Sequence, residues 1–518
     1  MAYWQPVAGL LLLSIALYLA SIRFRPGLRS IPGPFLASIS NLDRILSCVA
    51  GLQMNYHLWL HEQYGPLVRI GPKHVSFSDA SLIPQVYGIS SKFVKSDFYS
   101  MFDIKAPGGT VPTVFSVRDE HRHKGIKRPI AGAYSMSTLK ELEPMNDECS
   151  AILLRKLDGM VGQDIDLGKW VHVSLTSLRS DAETTTDAGQ WYAFDVITSI
   201  TFSNRMGFME QEKDVQGIIA AIEGQLVYNS IVGQAPHLHK YLFGNALVTW
   251  LTGFIPFLAV LNSSCYIVAF AARSLQRYQN KEFNTANVQD MLDRFKRHRD
   301  GEQVMDDDAL LSSAVSNIFA GSDTTAASLR AIFYYLCQTP EAHAKLLAEI
   351  DGADRRGGLS DPVTFAEAQN LRYLQAVIKE ALRMHPAVGL LLERLVPAAG
   401  FEVGAGVHLP AGTILGMNPW VAARDPLVYA PDPYAFRPER WLEADAERLR
   451  LMERNFLAFG GGTRTCLGRN ISQLEMAKVV PQVLRRFDFD LTFPKREWEL
   501  HDYWFVRQTG LVCKVKRR

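Results

Sequence analysis

The chain has 518 residues, 47% of them apolar and 21% charged, and its 55 Lys and Arg stand against 53 Asp and Glu for a net charge of +2. This is a globular composition, which excludes a disordered, a collagen-like or a nucleic-acid-coating protein. The length is enough for a core that encloses a cofactor, and six scattered cysteines exclude a disulfide framework and a paired zinc site, so a reducing compartment is expected.

Residues 1–22 form the first expected element. Between Tyr3 and Ile22 the only strongly polar side chain is Gln5, and the apolar run is just long enough for a thin bilayer. No Lys or Arg precedes it and no clean cleavage site closes it, which favours an uncleaved transmembrane anchor over a secretory signal. Arg23, Arg25 and Arg29 follow, placing the rest of the chain on the cytosolic side by the positive-inside rule. Residues 23–34, with Ile31-Pro32-Gly33-Pro34, read as a basic, proline-stiffened hinge. Residues 35–518 then read as one domain, mainly α with a small β portion. Val68 to Ile70 and His74 to Phe77, split by Gly71-Pro72, predict a short hairpin, with further small strands near Glu402 to Leu409 and at the C-terminal end. The longest helical run is Asp308 to Cys337, beginning after Asp306-Asp307-Asp308 and ending before Thr339-Pro340. At 1.5 Å per residue it is about 45 Å long and crosses a whole domain.

Phe459-Gly460-Gly461-Gly462-Thr463-Arg464-Thr465-Cys466-Leu467-Gly468 delivers one cysteine just before a helical stretch, Ile471 to Leu484. The glycines permit positive φ and close approach of the backbone to a flat partner. A cysteine at a helix N-terminus, two residues from an arginine, is expected to have a depressed pKa and to present a thiolate, the ligand that pushes electron density from a haem iron toward O–O cleavage. A phosphate-cradling loop is disfavoured because no Lys-Ser/Thr follows the glycines and no βαβ frame surrounds them. A buried structural cysteine is the other alternative.

These residues resemble the haem-binding signature of the cytochrome P-450 family, Phe-x-x-Gly-x-Arg-x-Cys-x-Gly, with Phe459, Gly462, Arg464, Cys466 and Gly468 at every fixed position. Three more motifs follow in family order. Glu380-x-x-Arg383 lies on an amphipathic helix, Leu371 to Met384, where i, i+3 spacing puts both charges on one face. The resemblance implies that they join Arg440 of Phe436-Arg437-Pro438-Glu439-Arg440 in a structural triad. Ala320-Gly321-Ser322-Asp323-Thr324-Thr325, in mid-helix, resembles the family's oxygen-binding groove. There Thr324 would orient water at bound dioxygen and Asp323 would relay protons. His123-x-x-x-Lys127 stands where many members have Trp-x-x-x-Arg contacting a haem propionate, and Arg464 and Arg394 resemble the other propionate contacts. Ala423 replaces a common histidine, removing one hydrogen bond.

The stretches Tyr134-Ser135-Met136-Ser137, Ile165 to Trp170, Phe194-Asp195-Val196-Ile197 and Asn418-Pro419-Trp420 look like fungal enzymes of the pisatin demethylase type. In those relatives the Leu-Gly-Lys-Trp segment runs almost directly into Tyr-Ala-Phe-Asp; here 18 residues, Val173 to Gln190, separate His172 from Trp191. Seven of the 18 are Ser or Thr without amphipathic period, so the segment reads as a loop. It is either a retained intron of 54 in-frame nucleotides or a natural surface insertion. Ala387 to Leu392, Phe98 to Phe102 and Tyr503-Trp504-Phe505 suggest an apolar substrate, and Val248 to Val260 a segment dipping into the membrane.

The resemblance implies a microsomal haem-thiolate monooxygenase carrying haem b, with Cys466 as axial iron ligand and an endoplasmic-reticulum location. It would insert one oxygen atom of O2 into a small apolar substrate in fungal secondary metabolism or detoxification. No flavin or nicotinamide motif is visible, so electrons are expected from a separate NADPH-cytochrome P-450 reductase, with cytochrome b5 as an optional second donor. His121, Arg122, Lys124, Lys127, Arg128 and Arg469 are candidates for a basic docking face. A haem-thiolate isomerase or dehydratase needing no reductase, and a product inactivated by the insertion, are the alternatives.

Overall fold

In the computed structural model the described residues are 4–106, 109–167, 188–242, 245, 250, 263–280, 289–296, 305–404 and 406–518. The fold is mainly helical, with small sheets. Its axis is a 32-residue helix, Asp307–Gln338, whose N-cap Asp306 accepts from the Ala309 N–H at 2.7 Å. This start is one residue earlier than the sequence suggested, because Asp306 turns its side chain onto the orphan N–H groups of the first turn. The helix is buried along most of its length and packs against Ala188–Phe202, Ser263–Gln279, Arg372–Met384 and Arg469–Leu484. Gly321 lets the long helix approach Ala188–Phe202, since a Cβ there would stand 2.7 Å from Ile197.

The expected hairpin is present as Leu67–Arg69 against His74–Phe77, within a five-stranded sheet. Ile414–Gly416 joins His74–Phe77 in parallel, and Arg394–Leu395 and Val94–Lys95 complete the sheet in antiparallel order. The register places Lys95 directly opposite Arg394. Near the C-terminus, Glu499–Tyr503 and Phe505–Thr509 form a tight hairpin with Trp504 at its tip, at φ +71. A bulky residue rarely adopts that backbone conformation, and it aims the indole into the protein interior. The pair Phe401–Glu402 and His408–Leu409 supplies the other strands expected from sequence.

Among the described residues no helix is long and apolar enough to cross a membrane, so the transmembrane anchor expected over residues 1–22 is not supported. The physical reason is length: the apolar stretch from Val7 to Ile22 is about 24 Å as a helix, short of the bilayer core. What stands there is a helix, Trp4–Arg23, with Leu10, Leu11, Leu12 and Leu17 more than 60% exposed. Residues 23–34 are packed rather than free. Leu28 and Ile31 are buried with the sheet core, and the buried Arg69 donates to the carbonyls of Ile22 and Arg23 at 2.8 Å. Most of the 173–190 segment, and of 248–260 apart from the exposed Trp250, lies outside the described residues.

Candidate active site

The loop before Arg469–Leu484 turns through Gly460 and Gly462, at φ +67 and +59, and is closed by the Cys466 N–H donating to the Phe459 carbonyl at 2.8 Å. At Gly462 a Cβ would stand 1.9 Å from the Tyr87 carbonyl oxygen. The Tyr87–Gly88 backbone therefore demands glycine at position 462. Cys466 opens onto an internal cavity of about 290 Å³. Phe459, Gly460, Leu467 and Gly468 line it beside the sulfur; Phe319, Ala320, Gly321 and Thr324 of the long helix form another wall.

The expected low pKa of Cys466 is not what the surroundings produce. Burial pushes the thiol up, and the N–H groups of Gly468 and Arg469 with the Arg469 charge only partly offset it. Arg464 does not help, because its guanidinium is turned to Glu120, at 2.7 and 2.9 Å, and to the Val117 carbonyl at 2.7 Å.

Arg464, Arg394, His123 and Lys127 all line the same cavity. Lys127 Nζ donates to the Thr463 carbonyl at 2.9 Å. Burial first, then Arg464 and Lys127, hold His123 down to about 3, so it is neutral at physiological pH and donates through one ring nitrogen. Sequence reasoning missed a fifth basic group, Lys95. It is buried, lies over the Tyr99 and Phe115 rings, and has its pKa pushed well down by burial and then by Arg394 and Arg464. Nothing in a two-residue strand marks it; only its register opposite Arg394 brings it here. Its ammonium donates to the Phe115 carbonyl, and Arg394 Nη1 donates to the Tyr99 hydroxyl and the Glu393 carbonyl.

Asp323 and Thr324 are adjacent in sequence but face two different spaces. Thr324 lines the main cavity, its hydroxyl donating to the Ala320 carbonyl at 2.8 Å. Asp323, about 100° round the helix, lines a neighbouring cavity of about 40 Å³ with Gln190, Glu223, Arg330 and Arg507. There Gln190 Nε2 donates to Asp323 Oδ1 at 2.6 Å. Burial pushes the Asp323 carboxyl up to about 6 against the lowering effects of Gln190, Arg330 and Arg507. Gln190 was missed because it falls inside the stretch read as an insertion.

Away from the cavity, Glu380 meets Arg383 at 2.7 and 2.9 Å and Arg440 at 2.8 Å, all three buried. Arg383 also takes the Ala423 carbonyl at 2.6 Å. On the substrate side Tyr99, Phe102, Ala387, Val388, Leu392 and Trp504 line the main cavity, together with Phe505. Phe98, Leu390 and Leu391 are core, and Tyr503 faces the smaller cavity instead.

A thiol opening on a large cavity, with Lys95, Lys127 and Arg394 beside the neutral His123 and the Glu120-paired Arg464, fits an anionic cofactor bound through sulfur. The comparisons agree. Residues 30–510 match the Cytochrome P450 family. The chain is 37% identical over 521 residues to cytochrome P450 monooxygenase cicH of Emericella nidulans, covering 99% of each chain. It is 39% identical over 470 residues to a cytochrome P450 monooxygenase of Aspergillus terreus, covering 89% and 90%. It is 34% identical over 502 residues to cytochrome P450 monooxygenase gsfF of Penicillium aethiopicum, covering 95% and 94%. The chain belongs to the cytochrome P450 family. It is an oxidoreductase of the monooxygenase class whose cofactor is haem.

Proposed function

We propose that this chain inserts one oxygen atom of O2 into a small apolar organic substrate of fungal secondary metabolism, with electrons reaching it from NADPH through a separate reductase. The observation that carries the reading is Cys466 opening onto a large cavity faced by Thr324 and walled by aromatic side chains. Haem bound there supplies the dioxygen and electron-transfer chemistry. The protein's part would be to hold the haem iron through the Cys466 sulfur, with the N–H groups of Gly468 and Arg469 directed at that sulfur. Lys95, His123, Lys127, Arg394 and Arg464 would hold the propionates. Thr324 offers a hydroxyl on the substrate side, and Asp323, on the neighbouring cavity, has its carboxyl pushed up to about 6, which suits it to take up and release a proton. Phe102, Trp504 and Phe505 exclude water and favour an apolar substrate. The retained Asp323 and Thr324 favour this reading over a reductase-independent isomerase or dehydratase.

His121, Arg122, Lys124 and Arg128 are exposed on the Glu120–Ile130 helix, and Arg469 is exposed at the start of the Arg469–Leu484 helix. This basic face is the proposed reductase dock, with cytochrome b5 as the alternative occupant. The exposed leucines of Trp4–Arg23, with Arg23 and Arg25 at its end, are proposed to seat in the endoplasmic-reticulum membrane. The test is the reduced, carbon-monoxide-bound absorption spectrum. A red-shifted thiolate-type Soret band, lost in Cys466→Ser with the fold intact, is expected. Persistence of that band in Cys466→Ser overturns the assignment.

A further inference from the structure

We propose that Gln190 is the latch that fixes where Asp323 carries its proton, and that the segment before it decides which side chain holds that post. This rests on the monooxygenase reading only for the use made of the proton. Gln190 is 2% exposed and lies in the first turn of the Ala188–Phe202 helix. Its amide N–H occupies Asp323 Oδ1 at 2.6 Å, which leaves Oδ2 as the oxygen that takes up and releases the proton. The space beside the carboxyl, about 40 Å³, is large enough for a water. Glu223 and Arg507 form its far side, with Glu223 Oε2 3.9 Å from Arg507 Nη1. Among the described residues, the charged and titratable groups facing Asp323 are Arg330 on its own helix, Glu223 on Ile218–Val232, and Tyr503 and Arg507 on the C-terminal hairpin. In this proposal protons reach Asp323 through this space, and the Gln190 amide cannot itself titrate.

The register of the 188–202 helix is pinned from Trp191 onward, where Trp191, Tyr192, Phe194 and Ile197 are all at most 2% exposed. In a chain without residues 173–190, the residue before Trp191 is His172. The same post would then carry an imidazole, which both donates to a carboxylate and exchanges protons near neutrality. A chain shortened in this way would therefore be altered at the proton relay and not merely in a loop.

The test is infrared titration of the protonated-carboxyl band in the haem-loaded protein, assigned as the band that Asp323→Asn removes. Carbon-monoxide spectra of every variant report folding and haem uptake separately. In the 518-residue chain the band should titrate near pH 6 and its midpoint should rise by roughly half to one pH unit in Gln190→Leu. Gln190→His should restore the midpoint to pH 6 or below. In the chain lacking 173–190, His172→Leu should produce the rise that Gln190→Leu produces in the full chain. A parallel increase in peroxide released per NADPH in the two leucine variants is the functional counterpart. An unmoved midpoint in Gln190→Leu, or a band that survives Asp323→Asn, overturns the latch. If Gln190→Leu does not take up haem, the Gln190→His and His172→Leu midpoints decide it in the same way. Loss of the thiolate-type band from the unaltered chain would instead strike at the monooxygenase reading.

Discussion

Glu380→Ala should be among the most damaging substitutions in the protein, although it touches nothing in the cavity. Glu380 Oε1 accepts from Arg383 Nη2, Arg440 Nε and the Arg437 N–H at 2.7, 2.8 and 3.0 Å. Oε2 accepts from Arg383 Nε at 2.9 Å and Trp441 Nε1 at 2.8 Å. The Glu380 and Arg383 side chains are fully buried and that of Arg440 is 2% exposed. Removing the carboxylate leaves two guanidinium groups out of water without a counter-charge, which costs about 3–5 kcal/mol. That is two to four orders of magnitude in the folding equilibrium, and a third or more of the stability of a typical domain. Glu380→Gln keeps one acceptor and should lose less. Burial pushes the Glu380 carboxyl up, but Arg383, Arg440 and the Arg437 N–H outweigh it and hold the group below its ordinary value. A carboxylate depressed in the fold stabilises fully above its unfolded pKa and ceases to do so as pH falls through its folded value. The stability of the parent should therefore fall with acidification below about pH 4.5, and less steeply in Glu380→Gln. The assay is denaturant or thermal unfolding of the haem-loaded protein, followed by Soret absorption and far-ultraviolet circular dichroism. A Glu380→Ala protein within 1 kcal/mol of the parent would refute this account of the triad.

Gly462→Ala should lose haem and unfold earlier. The positive φ alone costs about 1–3 kcal/mol, and the new methyl meets the Tyr87 carbonyl at 1.9 Å; parent-like thermal unfolding would contradict this. Lys95→Met should weaken haem retention about tenfold or more, the value of a hydrogen bond to a charged group, as read by haem transfer to an apo-acceptor protein; unchanged retention would remove Lys95 from the propionate site. Asp323→Asn should be more stable than the parent at pH 7 by up to about 3 kcal/mol, since the folded carboxyl keeps its proton to about 6 while the unfolded one releases it near 3.8. Because the parent loses stability as pH rises through that window, the gain should shrink as pH falls from 6 toward 4, while turnover drops about a hundredfold. A constant stability difference across the window would show that the carboxyl is not shifted.

The anchor is not decided by sequence, because a 16-residue apolar run is marginal as a span and hydropathy does not say whether a helix crosses a bilayer or lies against one. The packing of residues 23–34 could not be foreseen either, since it depends on Arg69, more than 30 positions away. Lys95 was invisible for the same reason: a lysine in a two-residue strand carries no signal until the sheet register sets it opposite Arg394. Gln190 was discounted because its neighbours have the composition of a loop, although it is a buried helix residue.

What the sequence determined by itself was the chemistry written in short spacings. The glycine loop carrying Cys466, the i, i+3 pair Glu380 and Arg383, and the Asp323-Thr324 step in a long apolar helix are all local. Backbone geometry makes each legible from a few residues. The tertiary structure alone decided the relations between segments. It turned Arg464 to Glu120, away from the sulfur, and separated Asp323 and Thr324 into two cavities by the 100° step of the helix. It also gathered five basic groups from four parts of the chain. Burial and charge at a site are sums over everything that packs around it, and one stretch of sequence holds only its own part of that sum.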